Sequence, residues 1–388
     1  MRNLFILIGI GAVVLLFLFT SLPAVCGSGT EKVAYENYVS SLPAGCEPVP
    51  LECFEQAMEE GQLNMFEWAE WWPQEMYDGF SKEFGIKVVR DYFGSEDEVI
   101  AKFKLNPEAG YDYVYTGLRA AVLLREMGAL REINYDWVPN VKKYLPEWVI
   151  EEGIAFGDPG WKYAIPYEMC ITSYCYNEKY VDDPRIPSWS VLFEPDEKYK
   201  GRITLTDNMW EVIPCALIYL GYRIDTKDEG ELMEVRNLLL RLKPYIMAFD
   251  SWPVRLMVEE EAYISHTWGG DALYFHRQLE SIRGVLPAES TQLAFGTFGS
   301  AKGGAHPAVF HLWANYVFRP EVNNQLIETI GYSPLHTGVP ELLSEEMKAW
   351  SATVLPEEYV EKSQFQPPVV FTKEIIDLWE PIWLELKK

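Results

Sequence analysis

The sequence predicts a fold of two α/β units, each a sheet flanked by helices. The chain has 388 residues, more than one ordinary hydrophobic core accommodates, and 48% of them are hydrophobic. From residue 63 onward, short apolar runs alternate with amphipathic helical stretches, and this alternation begins again near residue 170. An alternating order of strands and helices is typical of a parallel sheet with helices on both faces.

The first unit is predicted to contain three strands, each followed by a helix. Pro73 opens the first helix and Gly85 ends it, because proline suits the first helical turn and glycine the position just past the last. Ser95 and Glu98 have the spacing of a capping box at the start of the second helix. The strands are expected at 63–68, 86–92 and 111–115, and the third helix at 118–128.

The second unit begins with an extended stretch at 163–176. A strongly helical stretch at 228–243 is stopped by Pro244, which cannot continue a helix. Further strands are expected at 202–206 and 262–268, with helices from Met209, after Asp271 to about 283, and from Thr372.

Residues at the carboxyl ends of the predicted strands are candidates for a binding site. In open parallel sheets, ligands bind beyond these strand ends. The first and third strands are followed by 68–71 and 116–119, which include Trp68, Trp71 and Arg119. The alternative for the two tryptophans is that they cover the edge of the sheet, since a spacing of three residues is not diagnostic.

The chain is strongly acidic, with a formal net charge of −25 and an isoelectric point near 4.6. A field of this sign repels nucleic acid, and no basic stripe reverses it, so we expect no nucleic-acid partner. The acidity favours a cationic ligand. The alternative is that it only keeps the chain soluble.

Residues 1–26 predict export from the cytoplasm. Arg2 precedes a run without charges from 4 to 19, which is typical of a signal peptide or an uncleaved membrane anchor. The sequence LPAVC, which ends at Cys26, is similar to a lipoprotein processing site, so Cys26 is a candidate for lipidation. Residues 27–61 are expected to form a tether. The protein is therefore expected in the periplasm or at the cell surface, attached to the membrane.

The six cysteines include two pairs that are close in sequence. Cys46 and Cys53 have prolines nearby, and a local disulfide between them is expected in an oxidising compartment. Cys170 and Cys175 either pair with each other or are buried separately. No CxxC sequence occurs, so zinc-ribbon and thioredoxin-like sites have no support.

The chain lacks the sequence signatures of the common catalytic sites. It has no GxSxG, HExxH or P-loop sequence, and the glycines at 296 and 299 are not followed by a convincing helix. His306 and His311 share one segment, but no cluster of carboxylates accompanies them, so a metal site is not expected. We therefore expect a binding protein without catalytic residues, metal or cofactor, rather than an enzyme.

A series of motifs over most of residues 62–388 resembles the spermidine/putrescine-binding proteins of ABC importers. No single motif is decisive, but their order and spacing are specific. The motifs are LNMFEWAEWWP at 63–73, FSKEFGIKV at 80–88, YDYV at 111–114, YAIPY at 163–167, SW at 188–189, YKGRITLTD at 199–207, LGYRIDT at 220–226, WGGD at 268–271, RPEV at 319–322 and ETIGYSP at 328–334.

The resemblance implies a two-lobed, type II periplasmic-binding-protein-like clamshell with a ligand cleft between the lobes. One lobe would comprise 62–170 and 272–318, and the other 171–271 and 319–388. The chain would cross between lobes near 170, near 271 and within 318–335. The resemblance also implies a small amine ligand, such as spermidine or putrescine. ABC permease and ATPase subunits would be partners, because this chain has no nucleotide site of its own.

The resemblance assigns ligand-binding roles to individual residues. Tryptophans would pack on the ligand's methylene groups, and the carboxylates of Glu211 and Asp271 would bind ammonium groups. Without the resemblance, Asn208 with Glu211 is better interpreted as a capping box and Asp271 as a helix N-cap. The matched positions are Trp68, Trp71, Asn208, Glu211, Trp268, Asp271, Tyr332 and Gln366.

Three departures from the family pattern affect the expected ligand. Near residue 296 the family has an Asp that binds an amine, with a Trp beside it, whereas this chain has Ala-Phe-Gly-Thr at 294–297. Asn208 replaces an Asp, and Gly117 and Arg119 replace a Ser and a Tyr. An arginine is always charged and would repel an ammonium group unless a carboxylate such as Glu211 or Asp271 paired with it.

Two ligand classes are therefore open. The first is a polyamine or a related amine, which the acidic composition and the WGGD motif favour. The second is an amine that also carries an anionic group, of the amino-acid or aminophosphonate type, with Arg119 meeting the anion. A less favoured alternative is an extracellular carbohydrate-active enzyme that uses Glu211 and Asp271 as paired carboxylates.

Overall fold

A computed structural model describes residues 27–69 and 71–388 of the chain, with side chains from Lys32 onward. The predicted signal or anchor segment 1–26, including Cys26, lies outside the described residues. The chain divides into two compact units between Ser41 and Leu42. The described part of the first unit is one helix, α1, Gly27–Ser41. The second unit contains all the elements discussed below.

The second unit contains sixteen α-helices among its described residues. They are α2 Leu51–Glu60, α3 Gln74–Phe84, α4 Glu96–Leu105, α5 Leu118–Glu126, α6 Pro139–Tyr144, α7 Glu147–Glu152, α8 Ser190–Phe193, α9 Met209–Tyr219, α10 Glu229–Leu242, α11 Val254–Val258, α12 Gly269–Gln278, α13 Pro307–Val317, α14 Pro320–Ile330, α15 Glu345–Ala349, α16 Glu357–Lys362 and α17 Lys373–Lys387. Short 3₁₀ turns lie at Tyr135–Trp137, Glu197–Tyr199, Lys243–Tyr245 and Pro368–Phe371. None of the described helices combines the length and the hydropathy needed to cross a bilayer.

Eleven strands form one continuous hydrogen-bonded sheet within the described residues. They are β1 Gln62–Trp68, β2 Lys87–Phe93, β3 Tyr113–Gly117, β4 Ile165–Asn177, β5 Ile203–Leu205, β6 Ile246–Phe249, β7 Ile264–Trp268, β8 Ile282–Gly284, β9 Gln292–Ser300, β10 Ser333–Pro334 and β11 Gln364–Phe365.

The sheet is mixed rather than wholly parallel. Its order is β2-β1-β3-β9-β4-β7-β5-β6, with β8 and β10 paired to β4 and β11 paired to β9. Strands β1, β2 and β3 are parallel, as the strand–helix alternation predicts, and so are β5, β6 and β7. Strand β9 is antiparallel to β3 and β4, and β4 is antiparallel to β7. The alternation therefore predicts each end of the sheet correctly but not its centre.

Strand β4 joins the two halves of the sheet. Its residues 165–171 pair with β9, and its residues 172–176 pair with β7. The change of partner falls between Ile171 and Thr172. After α12, β8 still pairs with the end of β4, whereas β9 and the two-residue strand β10 pair with its first half. The assignment of the remaining segments to lobes stays a prediction.

Local predictions for helix ends within residues 63–128 are confirmed by the structure. Helix α3 follows Pro73 and ends at Gly85, whose φ of +67° is the left-handed conformation that glycine adopts without strain. Ser95 accepts a hydrogen bond from the Glu98 backbone N–H at 3.2 Å. Helix α12 ends earlier than expected, because residues 282–284 pair as a strand.

The segment 42–61 is not a free tether. Helix α2 buries Cys53, Phe54 and Ala57 and lies against α13, and Glu60 accepts a hydrogen bond from the Val309 backbone N–H at 2.9 Å. The interpretation of 27–61 as a tether therefore overlooked an amphipathic helix that begins directly after Pro50.

The expected disulfide between Cys46 and Cys53 is not formed. Both thiols are free, and the Cys53 sulfur lies 3.8 Å from the Ala308 carbonyl oxygen in the interface with α13. Burial raises the pKa of the Cys53 thiol, which disfavours the reactive thiolate form. Cys170 and Cys175 are also free. They lie five residues apart on β4 and thus face opposite sides of the sheet.

We predict that reducing agents do not destabilise the protein. A native disulfide typically contributes about 2–4 kcal/mol, which would appear as a clear drop in melting temperature on reduction. Thermal unfolding with and without dithiothreitol is expected to give the same midpoint within about 1 °C, and Cys46→Ser should give the same pair of curves. A midpoint several degrees lower in dithiothreitol would contradict the free-thiol arrangement.

Candidate functional site

One face of β4 carries the side chains around which the candidate site is built. Glu168, Cys170 and Thr172 alternate along the strand, so all three point to the same side of the sheet. Glu168 and Thr172 are each only 2% exposed. Since β4 belongs to both halves of the sheet, this face spans the place where the halves meet.

Asp271 lies in the first turn of α12, where its carboxylate accepts a hydrogen bond from the Tyr332 hydroxyl at 2.7 Å. It is not the N-cap, because the helix already begins at Gly269. The glycines of the WGGD motif have a steric role. A Cβ at Gly270 would overlap the Ile330 carbonyl oxygen and the Tyr332 ring, so only glycine lets α12 approach Tyr332 closely.

Glu211 is held by a network of polar side chains at the start of α9. Its carboxylate accepts hydrogen bonds from the Thr172 hydroxyl at 2.5 Å and from the Gln292 amide. Gln366 donates to the Gln292 side-chain oxygen at 3.0 Å and to the Trp210 carbonyl at 2.9 Å. The network therefore ties three distant segments to β4.

Asn208 is the N-cap of α9, because its side chain accepts a hydrogen bond from the Trp210 backbone N–H at 3.0 Å. The Glu211 carboxylate turns away to Thr172 and Gln292, so Asn208 and Glu211 do not form a reciprocal capping box. The structure thus separates their roles. Asn208 positions the helix start, and Glu211 belongs to the polar network of the site.

The predicted tryptophans lie at different places around the carboxylates. The Trp71 indole N–H donates to the Tyr167 hydroxyl at 2.8 Å, and its ring lies 5.4 Å from that of Tyr332. Trp268 ends β7 close enough to Glu211 for a hydrogen bond that lowers the carboxyl pKa. Trp68 packs at 4.6 Å against Phe93, at the end of the parallel part of the sheet.

Burial shifts the ionisation of all three carboxyl groups. Burial raises the pKa of Asp271 and of Glu211 to about 7 each, although hydrogen bonds partly oppose the shift. Burial and then the charge of Asp271 raise the pKa of Glu168 to about 8. The pKa of the Cys170 thiol is raised by its own burial and by the charges of all three of these carboxylates.

The positive charge of Arg119 is compensated by two carboxylates of α4. Its guanidinium donates to Asp97 at 2.7 Å and lies 4.0 Å from Glu96. The guanidinium also lies over the Trp210 ring, 5.3 Å from its centroid. The condition that a carboxylate pairs with Arg119 is therefore met by α4 rather than by Glu211 or Asp271.

Several site residues were missed in the sequence. Gln292, Thr172 and Tyr167 carry the hydrogen bonds of the site, and Glu168 supplies a third buried carboxylate. One signal was available for Glu168, since a lone charge inside an otherwise apolar strand is rarely buried without a reason. The other residues gave no such signal, because their partners come from distant segments.

The arrangement suits binding of a cation. Among the described residues, no group of three or more His, Cys, Asp or Glu side chains is placed to hold a metal ion. Within the same residues, hydrogen bonds hold Asp271 and Glu211, and neither of these groups nor Glu168 forms an ion pair with a Lys or Arg. Because the carboxyl groups are buried, a ligand reaches them only when the surrounding segments separate.

Comparison with known proteins identifies the family. A family model described as bacterial extracellular solute-binding protein matches residues 75–355. The chain belongs to this family. The bacterial extracellular solute-binding proteins are a transport family rather than an enzyme family, in agreement with the expectation of a binding protein.

Individual relatives of this solute-binding protein confirm the resemblance seen in the motifs. The chain is 30% identical over 320 residues to the spermidine/putrescine-binding periplasmic protein of Escherichia coli. The matched region covers 81% of this chain and 88% of the Escherichia coli protein. It is 24% identical over 328 residues to a putrescine-binding periplasmic protein of Pseudomonas aeruginosa, with 81% and 88% covered.

Solved structures confirm the two-lobed fold of the solute-binding protein. A spermidine/putrescine ABC transporter substrate-binding protein from Streptococcus pneumoniae superposes with a TM-score of 0.74 at 26% identity, covering 84% of this chain and 98% of that one. A lipoprotein of Treponema pallidum gives the same TM-score at 22% identity, with 84% and 99% covered, and supports the fold alone.

We predict that the ligand-free protein loses stability between about pH 4 and pH 7 through the carboxyl groups of Asp271 and Glu211. Their folded-state pKa values lie above the unfolded values, so their contribution is full below the unfolded pKa and is lost as pH rises through about 7. In Asp271→Asn and in Glu211→Gln, the free energy of unfolding should decrease by roughly 2–4 kcal/mol less over this pH range than in wild type. Urea unfolding at several pH values measures it.

The pH dependence of stability must be compared between wild type and variant, because other buried groups also titrate. The buried His266, His311 and His336 change the stability in the opposite direction. Burial lowers the pKa of these histidines to about 3, 4 and 4, so they destabilise the fold at the acid end in both proteins alike. Identical pH profiles for wild type and both variants would contradict the raised carboxyl pKa values.

Proposed function

We propose that the protein is the solute-binding subunit of an ABC importer and that it captures a polyamine, such as spermidine or putrescine, between its two lobes. The observation that carries this proposal is the set of buried carboxylates beside aromatic rings, with no cation of the described chain to pair them. The relatives named for spermidine and putrescine binding support the same ligand class. Binding, and not catalysis, is the proposed activity.

The chemistry of a polyamine matches this site. Each ammonium group loses its hydration on burial and needs carboxylates and hydrogen-bond acceptors in return. A hydrogen bond between charged groups contributes about 1.5–3 kcal/mol, and an aromatic face beside a cation about 0.5–2 kcal/mol. Trp71 and Trp268 lie beside Asp271 and Glu211 in positions where they would cover the methylene groups between the charges.

The state of Arg119 favours a simple amine over an amine with an anionic group. Arg119 already pairs with Asp97 and lies 4.0 Å from Glu96, so an incoming anion would compete with two carboxylates. The positive charge is also compensated locally, which reduces its repulsion of an ammonium group. An arginine in this position is therefore compatible with a polyamine ligand.

The transport role implies partners and a location. Permease and ATPase subunits would receive the ligand, and the protein would act outside the cytoplasm. An N-terminal signal, anchor or lipid at Cys26 would hold it at the membrane. Localisation of the tagged full-length protein, with Cys26→Ser to block lipidation, tests the attachment.

We predict that spermidine or putrescine binds and that Asp271→Asn weakens binding by about 10–100-fold, because one charged hydrogen-bond acceptor is lost. Arg119→Ala should change the affinity for these amines less than threefold. Calorimetric titration of the purified protein at pH 8 measures both. Absence of polyamine binding, together with binding of an amino acid or aminophosphonate that Arg119→Ala abolishes, would contradict the proposal.

We also predict that binding releases protons below about pH 7. An ammonium group stabilises the charged form of Glu211 and Asp271 and lowers their pKa from about 7, whereas the ligand amines stay protonated in this range. Affinity should therefore rise from pH 6 to pH 8. Titrations at pH 6 in buffers with different ionisation enthalpies measure the proton release, and buffer-independent heats would contradict it.

A further inference from the structure

The carboxyl group of Glu168 occupies the place of a side chain at position 296. Glu168 on β4 and Gly296 on β9 are direct neighbours in the strand register. A Cβ built on Gly296 would overlap the Oε1 atom of Glu168 and lie 2.6 Å from its Cδ. Glycine inside a strand commonly marks such a close approach by another group. The backbone of Gly296 has no positive φ, so the position needs glycine for space alone.

This neighbour relation bears on the carboxylate that the chain lacks. Proteins that the sequence resembles have an amine-binding Asp near residue 296, and this chain has Ala-Phe-Gly-Thr at 294–297. In this structure a carboxylate from the adjacent strand occupies the space that a side chain at 296 would need. A side chain at 296 and the observed position of Glu168 exclude each other. The absence of an Asp there is therefore a condition for Glu168 to occupy this position.

Glu168 lacks the partners that a buried structural carboxylate normally has. The side chain is 2% exposed, and its Oε2 atom has no hydrogen-bond partner among the residues that the structure describes. The Gly296 backbone N–H is the hydrogen-bond donor that lowers its pKa, whereas the charge of Asp271 raises it. Native structures rarely leave a buried polar oxygen unsatisfied without a functional reason.

A second glycine, Gly117, also makes room for a carboxylate, but this carboxylate lies beside a cation of the protein itself. Gly117 on β3 is paired in register with Gly296, and a Cβ at Gly117 would overlap the Glu96 carboxylate. That carboxylate lies 4.0 Å from the guanidinium of Arg119. Two neighbouring glycines thus make room for two carboxylates, of which only Glu96 lies beside a cation of the chain.

We propose that Glu168 is a third carboxylate of the binding site and that, together with Asp271, it binds one ammonium group of the ligand. The proposal rests on the proposed polyamine function. Glu168 and Thr172, the residue that donates to Glu211, are four residues apart on β4, roughly 13 Å along the strand. One end of an extended amine would therefore lie at Glu168 and Asp271, and another amino group at Glu211.

The first test is the affinity of Glu168→Gln for spermidine and putrescine, measured by calorimetry at pH 8. Glutamine keeps the size and the acceptor for the Gly296 N–H but removes the charge. We expect about 10–100-fold weaker binding. The matched control is Glu67→Gln, since Glu67 is also 2% exposed but accepts hydrogen bonds from Tyr77 on the side of α3. The control should bind within threefold of wild type.

A second test moves the carboxylate back to the neighbouring strand. Glu168→Ala should weaken binding, and Glu168→Ala combined with Gly296→Asp should recover at least tenfold of the loss, because the Asp then has the space that Glu168 filled. Gly296→Asp alone should bind less well than this double variant, since the two side chains overlap. Urea unfolding of each variant identifies any that fail to fold, and Glu168→Gln then carries the test.

The outcomes separate the two proposals. If wild type binds neither amine, the proposed function is wrong and the role of Glu168 is wrong with it. If wild type binds and Glu168→Gln binds within threefold of it, the polyamine function stands and Glu168 is only a buried structural residue. A folded double variant that recovers no affinity would also contradict the exchange between positions 168 and 296.

Discussion

Burial of like charges is the constraint on which this site depends. Glu168, Asp271 and Glu211 are removed from water around Cys170, and no cation of the described chain accompanies them. A buried carboxylate without a partner is costly, so burial raises the pKa of each group, and a bound cation would favour the charged form. The hydrogen bonds from Tyr332, Thr172 and Gln292 reduce this cost only partly.

The fold supplies the means to place these charges together. Strand β4 belongs to both halves of the sheet, and its one face connects Glu168 with Thr172. Glycines then permit close approach at three points. Gly270 lets α12 reach Tyr332, while Gly296 and Gly117 make room for carboxylates from neighbouring elements. A cationic ligand would supply the positive charge that these buried carboxylates lack.

Much of the fold and part of the site can be predicted from the sequence. Helix α3 between Pro73 and Gly85, and the strands beside it, follow from local periodicity and helix-end residues. Asp271, Glu211 and Tyr332 were found through motifs whose order is similar to that of a known family, and the structure joins Asp271 to Tyr332 directly. Local patterns could not give the antiparallel direction of β9, because strand direction depends on where the chain returns to the sheet.

Glu168 shows why the remainder could not be predicted. Its importance arises from the register between β4 and β9, two strands far apart in the chain, and register is a tertiary property. In the sequence, Gly296 shows only that the chain lacks the carboxylate that the family has near this position. The same limit applies to Arg119, whose partners Asp97 and Glu96 come from α4, and to helix α2, which lies within the segment predicted as a tether.

The central claim is that buried, protonated carboxyl groups become charged when a polyamine binds. Infrared difference spectroscopy at pH 6 observes this directly, because the carbonyl band of a protonated carboxyl disappears when the group ionises. Addition of spermidine to the wild-type protein is expected to remove carboxylic-acid bands, with a smaller loss in Asp271→Asn. A spermidine-saturated protein whose carboxylic-acid bands are unchanged would contradict the account.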